Sequence, residues 1–286
     1  MSFSRDLRRY AIYLLKKYDI KPKRSLGQTF LVNAQVINRI VECANLSKND
    51  TVLEIGGGLG FLTKRLGERA GKVITIEIDK KLVEAMKEVL DGIDNVEIMH
   101  GDALKVELPK VNKVVSNLPY SISTQITFKL LRDVPFQLAV LTYQKEVAQR
   151  ILATPGNEDY GRLTIMVQLH ANVERILYIP RYYFYPIPKV DSVTLRIKRK
   201  RAELSEEEVQ LFEEIVRELF TQRNKLWKKV LKRYLIRIGV NKGLLNSVIE
   251  KCSEGVKASR VRELTIYDLM KITRTIKECL ASRSSY

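Results

Sequence analysis

The chain has 286 residues, room for one large domain or for a main domain with a smaller companion. Hydrophobic residues make up 45%, so a real core can form, and no apolar run approaches the length of a membrane span. Fifty Lys+Arg against 33 Asp+Glu give a formal net charge of +17, which favours a polyanionic partner such as RNA or DNA over a membrane surface.

In chain order, apolar residues at helical spacing predict a helix over 5–18. It lies in a start, "MSFSRDLRRYAIYLLKKYDIKPKR", that carries eight basic and two acidic groups and lacks the features of a secretory signal. Residues 1–24 are thus a basic extension, either an arm that grips nucleic acid or a helix that packs on a sheet. "KPKRSLGQTFLVN" is a loop, broken by Pro22 and Gly27, and 34–45 reads as helix. Strands and helices then alternate. "TVLEI", "KVITIEI", "NVEIMH", "NKVVSN" and "QLAVLTY" read as strands, with "GFLTKRLGERA", "KKLVEAMKEVL" and "STQITFKLLRD" as helices between them. That order predicts an α/β fold, a mostly parallel Rossmann-like sheet with helices on both faces. "VERILYIP" and "SVTLRIKR" add two strands. From about 203 the pattern is helical throughout, opening on Ser205 as a cap with acids in the first turn. The expected division is a sheet domain over 25–200 and a smaller all-helical domain over 201–286.

Glu54-Ile55-Gly56-Gly57-Gly58-Leu59-Gly60 follows the first strand. Glycines there let backbone approach a ligand closely, and the next helix presents free N–H groups. The sixth position of a dinucleotide fingerprint, where a glycine is needed, holds Phe61, so the loop suits S-adenosylmethionine better than NAD. Alone such a loop also fits a plain strand-to-helix turn. Glu77, near the end of the second strand, can accept both ribose hydroxyls, with Asp79 as an alternative. Asp102, after the third strand, can accept from an adenine amine. Loop and acids arrive in order at the carboxyl ends of consecutive strands, where open α/β sheets bind ligands.

"VSNLPY" ends the fourth strand at the same edge. The Asn117 side-chain oxygen and the Leu118 carbonyl can accept the two N–H groups of a second, acceptor adenine. Pro119, with fixed φ and no N–H, steadies that carbonyl. Tyr120 offers a ring for the base to stack on, and Phe184, in "YYFYPIPKVDS", a second. Two acceptors aimed at the amine hydrogens favour a pyramidal nitrogen, poised for in-line methyl transfer without a strong general base. "RELFTQRNKLWKKVLKRYLIR", with eight basic residues and one acidic, is a candidate nucleic-acid surface. Cys43, Cys252 and Cys279 are odd in number and far apart. With only His100 and His170 beside them they predict neither disulfide framework nor metal site, and fit a reducing cytoplasm.

From about Lys23 onward the chain resembles the rRNA adenine dimethyltransferase family, most of all its archaeal and eukaryotic branch. The likeness rests on "SLGQTFLVN", "VLEIGGGLGFLT", "VITIEID", "GDAL", "SNLPYSIS", "QKEVAQR", "YGRLT" and "FYPIPKVDS". It implies S-adenosylmethionine as methyl donor. It implies as acceptors two adjacent adenines in a hairpin near the 3′ end of small-subunit rRNA, each taken to the dimethyl state. By motif position Thr29, Leu31, Gly56, Glu77, Asp102 and Asn117 line the cofactor site, with Gln28 and Gly58 beside it. Tyr120 and Phe184 hold the target base. The helical domain implies rRNA contact through Arg223, Lys225, Lys228 and Lys229. Thr29 stands where the bacterial pattern often has Asn, and Asn33 where it often has Asp. The expected protein is a cytoplasmic monomer that works on the pre-ribosomal small subunit, without metal or membrane. The alternatives are a large-subunit rRNA adenine methyltransferase and an assembly factor that only binds.

Overall fold

A computed structural model describes residues 6–201 and 203–281. Its first strand, β1 (Phe30–Leu31), precedes the main sheet and helix α2 (Ala34–Cys43). The sheet then builds from β2 (Thr51–Ile55), β3 (Lys72–Glu77), β4 (Val96–His100), β5 (Lys113–Asn117) and β6 (Leu138–Gln144). Helices α3 (Phe61–Arg69), α4 (Lys80–Val89) and α5 (Ser123–Asp133) return the chain between parallel neighbours. β7 (Ala171–Ile179) and β9 (Ser192–Arg199) complete a seven-stranded order β4-β3-β2-β5-β6-β9-β7. The first five strands pair parallel and the last two run antiparallel. Central strands such as "VVS" and "AVL" are buried along their length, which is why they read as apolar runs and not as alternations.

The strand order turns back between β2 and β5, because β3 and β4 extend one way and β6 the other. The crevice outside the carboxyl ends of those two strands is the switch point where doubly wound sheets bind ligands. A short second sheet pairs β1 with β8 (Phe184–Tyr185), setting Leu31 against Phe184 and Phe30 against Tyr185. Its two-residue strands are too brief for any periodic signal.

The N-terminal extension takes its helical form. In α1 (Leu7–Lys17) the side chains of Leu7, Ala11, Leu14 and Leu15 are buried in the sheet unit's core. Each leucine so buried contributes about 1.5–3 kcal/mol. The Glu88 carboxylate of α4 accepts from the Lys17 ammonium at 2.6 Å and the Tyr18 hydroxyl at 2.7 Å. Residues 1–5 lie outside the described residues.

By its contacts the chain forms two compact units, 1–148 with 171–199, and 149–170 with 200–286. The second unit holds α8 (Glu206–Phe220), α9 (Trp227–Arg237), α10 (Leu245–Ser253) and α11 (Ile266–Ala281). Ser205 and Glu208 cap α8 reciprocally. The expected sheet domain, 25–200, includes 149–170; that stretch instead groups with the helices. α6 (Lys145–Leu152) crosses from one unit to the other, and α7 (Arg162–His170) belongs to the second. The physical reason is that α7 is apolar on all sides: Leu163, Ile165, Met166, Val167 and Leu169 are all buried. Such a helix needs partners all round, not one sheet face. Buried Tyr160 anchors it, its hydroxyl donating to the Leu264 carbonyl at 2.9 Å and its ring meeting Phe220 edge-on.

Candidate active site

A cleft of about 380 Å³ opens at the carboxyl edge of β2, β3 and β5, at the lower end of the roughly 300–1,000 Å³ common for small-molecule sites. Gln28, Thr29, Leu31, Gly56, Gly58, Glu77, Asp102 and Asn117 all line it, as do Leu118 and Pro119. Residues from five separate stretches of sequence therefore converge, each delivered by a strand end or by the "SLGQTF" loop.

Two glycines of the loop after β2 are pressed against the neighbouring chain. Gly56 has φ +78°, and a Cβ there would lie 2.6 Å from Pro119 Cγ. A Cβ on Gly57 would lie 2.3 Å from Thr75 Oγ1. The glycine loop is thus moulded against "NLPY" on one side and β3 on the other. Gly27 (φ +65°) does the same from above, where a Cβ would come within 3.0 Å of the Tyr120 and Ser121 amides.

Glu77 is buried and accepts from the Gly58 N–H at 2.9 Å and the Asp79 N–H at 3.0 Å. Burial raises its pKa, and those backbone donors oppose the rise. The carboxylate is thereby fixed in orientation, with lone pairs left for a ligand hydroxyl. Asp79, its sequence alternative, caps α4 through the Lys81 N–H and accepts from Gln28 and Lys23. Burial pushes the Asp79 pKa up, but these hydrogen bonds outweigh it and hold it down. Asp79 is committed to structure and does not line the cleft, which leaves Glu77 as the acid that the end of β3 brings to it. Asp102 Oδ1 accepts from the Leu104 N–H at 3.0 Å, shaping the turn that brings its carboxylate to the cleft.

Asn117 ends β5, and its side-chain Oδ1 is buried with no hydrogen-bond partner among the described residues. Leaving a buried amide oxygen unpaired costs about 1–3 kcal/mol, so a donor entering the cleft would be favoured there. Leu118 is anchored by its N–H to the Thr142 carbonyl at 3.2 Å, while among the described residues its own carbonyl accepts nothing. Consecutive residues at the strand end thus carry two acceptors that are unfilled among the described residues.

Tyr120 and Phe184 lie outside the cleft lining. The Tyr120 hydroxyl and Ser192 Oγ are 2.6 Å apart, and burial raises the Tyr120 pKa against the hydrogen bonds of Ser192 and Thr29. Phe184 is fully buried and meets Tyr120 edge to face, with centroids 6.5 Å apart and planes at 61°. In this conformation no slot for a flat base stands between them; Phe184 backs the Tyr120 ring.

Among the lining residues to which the sequence gives no role are Glu54 and Ile78. Glu54 is fully buried in β2, accepts from Thr63 Oγ1 at 2.6 Å, and has its pKa raised to about 7, by burial first and by Glu77 in addition. An acid inside an otherwise apolar strand, "TVLEI", was the available signal. Ile78 follows Glu77 and stays exposed in the cleft, an apolar wall for a flat ring.

In the helical unit Arg223, Lys225, Lys228 and Lys229 are all exposed along the α8–α9 turn. The turn is stiffened from below. Arg262 N–H donates to the Arg223 carbonyl, Val261 N–H to Lys225, and Trp227 N–H to Ser259, at 2.9, 3.0 and 3.2 Å. The buried Trp227 indole N–H donates to the Ala258 carbonyl at 2.8 Å. Arg260 and Arg262 donate to Asn224, adding two guanidinium groups that the sequence reading passed over in "KASRVR". Among the described residues no helix is long and apolar enough to cross a membrane.

Residues 20–273 match the family model described as ribosomal RNA adenine dimethylase. A Thermococcus sibiricus relative named "Probable ribosomal RNA small subunit methyltransferase A" is 45% identical over 267 residues, 92% of this chain and 95% of the relative. The solved dimethyladenosine transferase of Plasmodium falciparum is 31% identical with TM-score 0.77, covering 87% of this chain and 98% of that one. The 23S rRNA methyltransferase ErmE is 29% identical with TM-score 0.66, covering 87% and 99%.

Proposed function

The chain belongs to the ribosomal RNA adenine dimethylase family, and from that premise we propose a specific task and a role for each site residue. The enzyme is an rRNA adenine N6-methyltransferase that uses S-adenosylmethionine. Its proposed substrate is a hairpin near the 3′ end of small-subunit rRNA, where it dimethylates two adjacent adenines. We place it in the cytoplasm as a metal-free monomer, acting on the pre-ribosomal small subunit. The small-subunit reading is favoured because relatives alike over nine-tenths of the chain carry that name, while the large-subunit enzyme ErmE is more distant.

The residues present fit the donor. The glycine loop leaves no space for side chains, Glu77 holds acceptor lone pairs for ribose hydroxyls, and Asp102 reaches the same cleft for the adenine amine. Thr29, Leu31, Gln28 and Ile78 close the walls. When bound, the sulfonium supplies an electrophilic methyl group.

The carrying observation is the orphaned Asn117 oxygen. With the Leu118 carbonyl it accepts the two N–H bonds of a target adenine, drawing the amine's lone pair out of ring conjugation and toward the methyl group. With the donor bound, its methyl would pass from sulfur to the amine that Asn117 and Leu118 hold, the sulfur keeping the bonding electrons and one amine proton leaving for solvent. The two acceptors act through position and fixed dipoles. Tyr120, held by Ser192 and backed by Phe184, provides the stacking face, and a paired base has to leave its helix to reach it. Arg223, Lys225, Lys228 and Lys229 grip rRNA phosphates. Methyl transfer by Asn117→Ala, assayed beside RNA binding, tests the assignment: lost turnover with retained binding is expected.

A further inference from the structure

Beyond the acceptor pocket, the same sheet edge carries a second group of aromatic and basic side chains. Tyr182 is 57% exposed, Ile187 55% and Tyr178 48%, and Lys145, Arg181 and Lys189 are exposed around them. Exposed rings are usually loosely held, but this segment is pinned at many points. Arg8, from α1, donates to the carbonyls of Tyr182 and Phe184, at 2.5 and 3.2 Å. Val32 N–H donates to the Tyr183 carbonyl at 2.8 Å, and β1 pairs with β8 directly after it. Asp191 accepts from the Arg181 N–H at 2.8 Å and from the Tyr178 hydroxyl, and its own carbonyl accepts from the Lys145 N–H at 2.9 Å. The Asp191 carboxylate is thereby held by two donors of the same segment, and they keep its pKa low. Glu146 is the acid exposed beside Lys145.

The location matters as much as the rigidity. Ser192, which touches the Tyr120 hydroxyl, pairs with Gln144 at the end of β6 and Ile179 at the end of β7. Tyr178 pairs with Val193, one residue on from Ser192 and so on the opposite face, while Tyr182 lies two residues before Phe184, whose ring meets Tyr120. A rigid exposed ring gives a stacking surface with little ordering cost, and bases stack on such rings irrespective of sequence. Cations at the margin suit the phosphates on either side.

Resting on the rRNA methyltransferase reading, we propose that the 181–189 rim is a second nucleotide subsite, with Tyr182 stacking on the base next to the adenine being methylated. It takes a single-stranded RNA nucleotide and holds the strand while its neighbour occupies the Asn117–Tyr120 pocket.

The test uses the full chain, labelled S-adenosylmethionine and unmethylated small ribosomal subunits. Tyr182→Ala is expected to raise KM for the subunits about tenfold, near 1.4 kcal/mol and within the roughly 1–3 kcal/mol of one stacked base. Turnover at saturation and cofactor affinity stay within about twofold, and Tyr182→Phe behaves as wild type. A merely structural Tyr182 would change melting temperature and cofactor affinity together with KM. Lys189→Ala gives an independent reading, with RNA affinity falling less steeply with salt than in the wild type. An unchanged KM in Tyr182→Ala, or equal losses in the Phe and Ala variants, overturns the subsite. A wild-type chain that labels no small subunit overturns the underlying reading instead, and the subsite falls with it.

Discussion

At the cleft, three glycines with positive φ, a buried carboxylate and two unfilled acceptors are fixed by backbone contacts from five stretches of chain. On the helical unit, Arg223, Lys225, Lys228 and Lys229 are exposed on one stiffened turn, the Arg223 guanidinium donating to the Glu158 carbonyl and the Lys228 ammonium lying over the Trp227 ring. On the proposed roles, the first region would recognise by shape and by fixed polar groups. The second would recognise by charge, which acts at a distance and is screened by salt. An enzyme that modifies two bases of a very large RNA needs both: long-range capture that tolerates imprecision, and an enclosed site that does not.

That contrast can be broken experimentally. Asn117→Ala carries the largest expected effect, a fall in kcat of at least about a thousandfold, because an acceptor that acts in the transition state is lost. RNA affinity should stay within about twofold; parallel losses in both would show that Asn117 serves binding instead. Gly56→Ala comes next. Its Cβ collides with Pro119 in a backbone conformation that costs about 1–3 kcal/mol for other residues, so cofactor affinity by calorimetry should drop about a hundredfold. Unchanged affinity would mean that the loop is a plain turn.

Lys228→Glu combined with Lys229→Glu sharpens the other side. RNA affinity should fall about tenfold, and the slope of log K against log salt should flatten by about 2, because two phosphate contacts release no counterions. Cofactor binding should not respond to the change. An unaltered slope would place the RNA elsewhere.

The smallest effect concerns Glu54. Its folded pKa is raised to about 7 from an ordinary carboxylate value, by burial. A raised pKa means that its contribution to stability is complete below about pH 4.5 and lost as pH climbs through 7. Melting temperature of the ligand-free protein should decline over that window, and Glu54→Gln should flatten the decline, gaining a few degrees at about pH 8. An identical pH profile in the variant would show that the carboxyl is not the source.

The two regions also differed in how plainly the sequence announced them. The cleft was legible because loop, acids and "NLPY" each fall at a strand end, and strand ends follow from apolar runs. All eight expected cofactor residues do line one cavity. Glu54 and Ile78 were missed because they lie inside strand patterns, where a residue reads as core. Phe184 was legible as an aromatic near prolines, but its full burial depends on pairing between two-residue strands that no periodicity reveals. The helical unit's charge was plain, yet the Arg260 and Arg262 support of its turn was not, since the two segments are distant in sequence and meet only in the fold. The same holds for 149–170, where an all-round apolar helix gives no hint of which unit will cover it.

The most direct test is methyl transfer from labelled S-adenosylmethionine, offered in parallel to unmethylated small subunits, large-subunit rRNA and DNA, with the modified base identified by mass spectrometry. Dimethyladenosine in the small-subunit sample alone is the predicted result. Label in large-subunit rRNA, or none anywhere despite cofactor binding, would contradict it.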